Sequence, residues 1–150
     1  MAFDSARLVG VEFGRRRADL RFVERVAAPQ VTDAQIEELR GLCAVMEEAA
    51  RRETAADLSR LSEANGRLHR MIIDATRSDH LIKLTTLALD APLSRRIFSR
   101  YTAAEIGRSM RHHRKIVDAL EHRDPAWAAS AMRTHFLASI GVARGAKIEA

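Results

Sequence analysis

The stretch HRKIVDALEHRDPAWAASAMRTH, residues 113–135, decides the fold. Its first half carries Val117 and Leu120, which extend a row begun by Ile106 and Met110, three or four residues apart. That is the spacing of one face of an α-helix, not of a strand. The row ends near Glu121, and Asp124-Pro125 opens a new one. An aspartate can accept the unpaired N–H groups of a helix start. Proline suits the first helical position, where its missing N–H would have been unpaired anyway. The second row reads Ala128, Met132, His135, Ser139 and Val142, and the helix is predicted to continue to about Arg144. Two amphipathic helices joined by a short turn pack antiparallel.

Upstream, the same period recurs. Thr32-Asp33-Ala34-Gln35 has the capping-box pattern, with Ile36, Leu39, Leu42, Cys43 and Met46 marking one face behind it. Another helix is expected from about Thr54 to Thr76, with Leu58, Leu61, Asn65, Leu68 and Ile72 as its stripe. A first helix, roughly Ser5 to Ala28, carries Leu8, Val11, Phe22 and Val26 and ends at Pro29. A fourth begins near Ser78 or Asp79, carries Leu81, Leu84, Leu87 and Leu89, and is kinked or broken by Pro92. No stretch alternates with period two. The expectation is an all-α fold, an antiparallel bundle of about six helices, forming one domain over residues 1–150.

Composition agrees. Of 150 residues 47% are hydrophobic, enough for a core, but only 5% are aromatic, so that core is aliphatic. Three prolines and seven glycines disfavour a turn-rich β fold. The single cysteine, Cys43, excludes an internal disulfide and a cysteine-based zinc site, and reads as a small buried hydrophobe in a reducing, cytoplasmic setting. There is no apolar run of membrane-spanning length, and acid and arginine interrupt the N-terminus where a signal peptide would need its apolar region. Net charge is +5, and residues 91–115 hold seven Arg or Lys against one acid, Glu105. Such a stretch is a solvated helix surface or a field that draws in an anion.

The histidines carry the functional signal. His80, His112 and His122 lie off the apolar rows or near helix ends, where surface or capping roles are expected. His69 follows Asn65 by four residues, so the two stack on one side of their helix. His113 and His135 sit within the apolar rows quoted above. One imidazole thus falls on the inner face of each of three helices. A buried polar group without a partner costs about 1–3 kcal/mol, and three would take a large share of the ~5–15 kcal/mol stability of an ordinary domain. A shared divalent metal satisfies all three at once. Separate hydrogen bonds in a core remain the other solution. No compact ligand motif decides between them.

The ordered set of motifs resembles the FCD domain, the C-terminal effector-binding domain of FadR-type GntR transcription regulators. Asn65-Gly-Arg-Leu-His69-Arg-Met-Ile resembles that family's Asp/Asn-x-x-Phe-His-x-x-Ile signature. Ser78-Asp79-His80-Leu81 resembles the turn and helix start after it. His113 to Asp124 resembles His-x-x-Ile-x-x-Ala-Leu-x-x-x-Asp, and Ala128 to His135 resembles Ala-x-x-Ala-Met-x-x-His. Order and spacing agree over about Thr32 to Ile140. The resemblance implies a helical bundle that is not an enzyme, a homodimer, and a divalent metal, Zn with Ni or Mn as alternatives, held by positions Asn65, His69, His113 and His135. It implies a small organic acid as effector, bound at those four residues and by an arginine, for which Arg17 is the candidate. DNA would be contacted only through a preceding winged helix-turn-helix domain, which is not legible in this chain. A fragment, a mis-called start and a stand-alone sensor are all compatible with that.

Asn65 departs from the family's carboxylate and leaves the ligand set uncharged. Three other classes stay open: a helical interaction module without metal, a metal-dependent hydrolase, and a basic nucleic-acid binder using Arg15–Arg17 and the 95–115 stretch. A hydrolase needs a general base. The nearest acids in sequence, Glu63 and Glu105, lie off the histidine rows.

Overall fold

The computed structural model describes residues 27–52, 54–79, 82 and 98–145. Among the described residues there are four α-helices and no strand. They are α1 (Asp33–Arg52), α2 (Ala55–Asp74), α3 (Ala103–Glu121) and α4 (Pro125–Gly145). These are the second, third, fifth and sixth helices of the expected bundle. The first expected helix falls outside the described residues except for Ala27 and Ala28. The fourth does too, except for Ser78, Asp79 and Ile82. The Arg15–Arg17 cluster, His80 and Pro92 also lie outside them.

Each helix starts where a side chain can take its unpaired N–H groups. The Thr32 capping box forms in both directions: Thr32 N–H donates to Gln35 Oε1 at 2.8 Å, and Gln35 N–H donates to Thr32 Oγ1 at 3.2 Å. Asp57 N–H donates to Thr54 Oγ1 at 3.1 Å at the start of α2. Asp124 Oδ1 accepts from the N–H groups of Ala126 and Trp127, both at 2.9 Å, as the Asp-Pro pattern anticipates. The sequence reading passed over a second capping box, Thr102 with Glu105, which anchors the start of α3. α2 and α3 are each followed by an arginine with left-handed backbone, Arg77 (φ 52°) and Arg123 (φ 54°). Arg123 is also tied to the start of α1, its Nη2 donating to Asp33 Oδ1 at 2.6 Å.

α1 packs against both α2 and α3, and α3 against α4. Ion pairs report the direction. Asp33 meets Arg123, Arg40 meets Glu121, and Glu47 takes Arg114 in a two-point bridge at 2.6 and 2.7 Å. Partner numbers fall along α3 as they rise along α1, so the two are antiparallel. Pairs this exposed contribute about 0–1 kcal/mol each and specify register more than stability. The stability comes from the aliphatic interior: Leu39 and Met46 of α1, Leu61, Leu68 and Ile72 of α2, Ile116 and Leu120 of α3, and Met132 of α4 are all sealed from solvent. Truncating one such leucine to alanine would cost about 2–5 kcal/mol. Cys43 is buried among them, and burial pushes its thiol up to about 11, which suits the inert role read from the sequence.

Thr102→Ala removes the side-chain acceptor at the start of α3 and is expected to destabilise the protein by about 1 kcal/mol. Urea denaturation checks this, and an unchanged midpoint would show that the cap is dispensable.

Candidate metal and effector centre

The apolar rows of α2, α3 and α4 dictate which side chains turn inward. Buried residues of α2 include Leu61, Asn65, Leu68, His69 and Ile72. Those of α3 include Met110, His113, Val117 and Leu120. In α4 the row places Ala128, Met132 and His135 inside. A histidine in such a row is carried into the interior by its neighbours, whatever its own solvation would prefer.

The three imidazoles meet. Ring centroids are 5.4 Å apart for His69 and His113, 5.4 Å for His69 and His135, and 4.4 Å for His113 and His135. Each offers a ring nitrogen, and these nitrogens lie within 4.8 Å of one another. His113 is wholly buried, and His69 and His135 are each 6% exposed. Asn65 is also buried, one turn before His69 on α2. All four expected positions are therefore interior, and the three histidines form one cluster. Arg17 lies outside the described residues.

Both nitrogens of His113 and Nδ1 of His135 are sealed without any hydrogen-bond partner. No protein group among the described residues therefore satisfies the His113 ring. Burial also holds all three rings in the neutral, ligand-competent form. It pushes His69 down to about 4. His113 and His135 are held well below the usual histidine range by burial first, and then by neighbouring histidines. Among the described residues no acid joins the cluster. A three-imidazole set with orphaned nitrogens fits a divalent ion of the Zn or Ni kind, for which imidazole is a good donor. Bound there, the ion would supply a positive, Lewis-acidic centre.

Two of the remaining histidines can be placed. His122 caps α3, its Nδ1 lying 2.8 Å from the Asp118 carbonyl oxygen, as expected. His112 is not the surface residue expected. It is half-buried, its ring centroid is 6.0 Å from that of His135, and its Nδ1 is sealed without a partner. The sequence reading missed it because residue 112 lies off the apolar row of α3. The flank of that row becomes interior only once α4 lies alongside. The one available signal was its position four residues after Arg108, on the same side of the helix.

Comparison with known proteins names the class. The sequence matches the FCD domain over residues 21–138, and the chain belongs to that family, the C-terminal effector-binding domain of GntR/FadR-type transcription regulators. Solved structures with the same fold include the GntR of Streptococcus agalactiae, at 22% identity and TM-score 0.70 over 92% of this chain and 60% of that one. Another is McbR/YncC of E. coli, at 14% identity and TM-score 0.78 over 91% of this chain and 67% of that one. The chain spans about three-fifths of the length of the first of these. No curated protein matches it. No helix among the described residues is long and apolar enough to cross a membrane.

The buried imidazoles make the metal-free protein acid-sensitive. Their folded-state pKa values lie below the ordinary 6.5, at about 4 for His69, so between those values the unfolded chain binds protons that the folded one refuses. Stability is full above about pH 6.5 and is lost as pH falls toward 4, by an amount on the order of 3 kcal/mol for His69 alone. Urea melts in chelator at pH 7.5 and 5.0 measure this, and coincident curves would contradict burial of neutral rings.

Proposed function

We propose that this protein is the sensing and dimerisation domain of a bacterial, cytoplasmic GntR/FadR-type regulator, and that His69, His113 and His135, with Asn65 beside them, hold a divalent metal that anchors a small organic acid. The observation that carries the reading is the convergence of three imidazoles from three helices with nitrogens left unpaired. Without an ion, that arrangement costs stability and returns nothing.

The chemistry of the ligand follows from charge. Asn65 contributes no negative charge, and no described carboxylate joins the histidine cluster. A divalent ion there carries its full charge in a low-dielectric interior, where an uncompensated charge is costly. An anionic oxygen ligand compensates it. Metal and acid therefore tighten each other's binding, as reciprocal linkage requires. Arg17 is a further candidate for the carboxylate. The effector acts by favouring one packing of the helices, and it can shift that equilibrium only by its difference in affinity for the two packings. In a dimeric regulator such a shift would respace two DNA-binding domains. The role is binding rather than turnover: Glu63 is exposed, and the Glu105 carboxylate is engaged by Thr102.

Elemental analysis joined to thermal denaturation tests the reading. Zinc or nickel should raise the melting temperature of chelator-treated protein, and acetate should raise it further only when metal is present. His113→Leu should abolish both responses while leaving the metal-free protein at least as stable, because it removes two orphaned nitrogens. Absence of metal from the purified protein, with no response to added metal, would leave a plain helical interaction module.

Asn65→Asp adds the missing charge and is expected to tighten metal binding about tenfold or more while weakening its dependence on acetate. Competition against a chromogenic chelator measures both. An unchanged affinity would mean that residue 65 does not face the ion.

A further inference from the structure

Of the Arg and Lys residues between 91 and 115, Arg108, Arg111 and Lys115 fall three and four positions apart on α3. That spacing puts them in one row. All three are exposed, on the side of α3 turned away from its buried row of Met110, His113 and Val117. From Arg108 to Lys115 the row rises about 10 Å along the helix axis. Arg111 reaches back over Gly107, so its charge lies at the level of Arg108.

Elsewhere on this helix the basic residues are neutralised. On the flank facing α1, Arg114 is bridged by Glu47, and Arg123, just past the end of α3, is paired with Asp33. Asp118 acts on that flank, where its charge is felt by Arg114 and Cys43. The outer row differs. Among the described residues Arg111 and Lys115 have no acid partner. Arg108 has only Glu105, 4.0 Å away, and that carboxylate accepts from the Thr102 N–H at 2.8 Å and hydroxyl at 2.9 Å. Like charges at these spacings destabilise a helix. The row therefore works against the fold, and a line of anions laid beside it would remove the repulsion.

The composition of the face selects the partner. A protein interface is built round an apolar centre, and a helix lying on a membrane inserts large apolar side chains. The exposed large hydrophobics among the described residues, Trp127 and Leu137, are both on α4. Nor does α3 carry a Phe, Tyr or Trp on which an unpaired base could stack. The contact that fits is ionic, with anions repeated at a fixed spacing. A duplex offers one negative charge per roughly 1.7 Å of its axis, and the chain's net charge of +5 has the complementary sign.

We propose that the outer row of α3, Arg108, Arg111 and Lys115, is a contact for the phosphate backbone of double-stranded DNA, independent of base sequence. This goes beyond sensing: the effector-binding domain itself holds part of the duplex, beside whatever domain reads the bases. Neither the row nor its test involves the histidines, so it stands or falls apart from the metal reading.

Fluorescence anisotropy of the full chain with a short labelled duplex of arbitrary sequence is the test. Binding should be present at about 50 mM salt and fall toward 200 mM, with log affinity declining against log salt at a slope of about −2.7, or −0.9 for each phosphate neutralised. Arg111→Ala combined with Lys115→Ala should weaken binding about tenfold or more and bring the slope to about −0.9. Its melting temperature should stay the same or rise, since a repulsion is relieved. Lys115→Gln alone should reduce the slope by about one, which keeps the test intact should the double variant misfold. Arg60→Ala combined with Arg67→Ala removes the same charge from exposed positions of α2 and should leave the slope unchanged. Absence of duplex binding at about 50 mM salt, equal losses in the two double variants, or an affinity indifferent to salt overturns the proposal. So does tighter binding of hexaglutamate or of phosphatidylserine vesicles than of the duplex, which would assign the row to an acidic protein or a membrane surface instead.

Discussion

The structure depends on one conflict: three imidazoles are drawn into an aliphatic interior that cannot solvate them. Leu68 and Ile72 on α2, Val117 and Leu120 on α3, and Ala128 and Met132 on α4 must be buried for the bundle to hold together. Each histidine sits in the same row as these residues, so burying the row buries the ring. The aliphatic contacts stabilise the fold, and the histidines oppose it until something binds their nitrogens. A site that is a liability when empty couples ligand occupancy to the stability of the helix packing around it. That coupling is what a sensor requires.

The helices are held in register by features remote from this conflict. The capping boxes at Thr32 and Thr102 and the Asp124 cap fix where each helix begins. The Asp33–Arg123, Arg40–Glu121 and Glu47–Arg114 pairs fix how α1 lies on α3. The positions of His113 and His135 are then set by counting residues from their helix starts. The site is preorganised by its scaffold, with the polar surface framing it and the apolar interior pressing it closed.

Electrostatics would set the selectivity of the proposed site. With asparagine at the position of the family's carboxylate, the cluster offers donors to a cation, and among the described residues no carboxylate joins it. Around it, Arg108, Arg111 and Lys115 make the α3 flank positive. A cation held there by neutral ligands beside a positive surface would favour anions twice over, once at the ion and once in the approach.

The all-helical class, the four described helices and their starts were legible in the chain because helical period and capping chemistry are local, set by residues within a turn of one another. The inward histidines were legible for the same reason, since His69, His113 and His135 share their rows with leucine, valine and methionine. The Thr102–Glu105 box was present in the sequence but unremarked. Only the tertiary structure decided that the three rings meet at one level of the bundle, because that depends on how far each helix slides along its neighbour. It also decided that His112 belongs beside them. That residue lies off the apolar row of its own helix, and its surroundings are supplied by α4, across a packing angle that no single helix encodes.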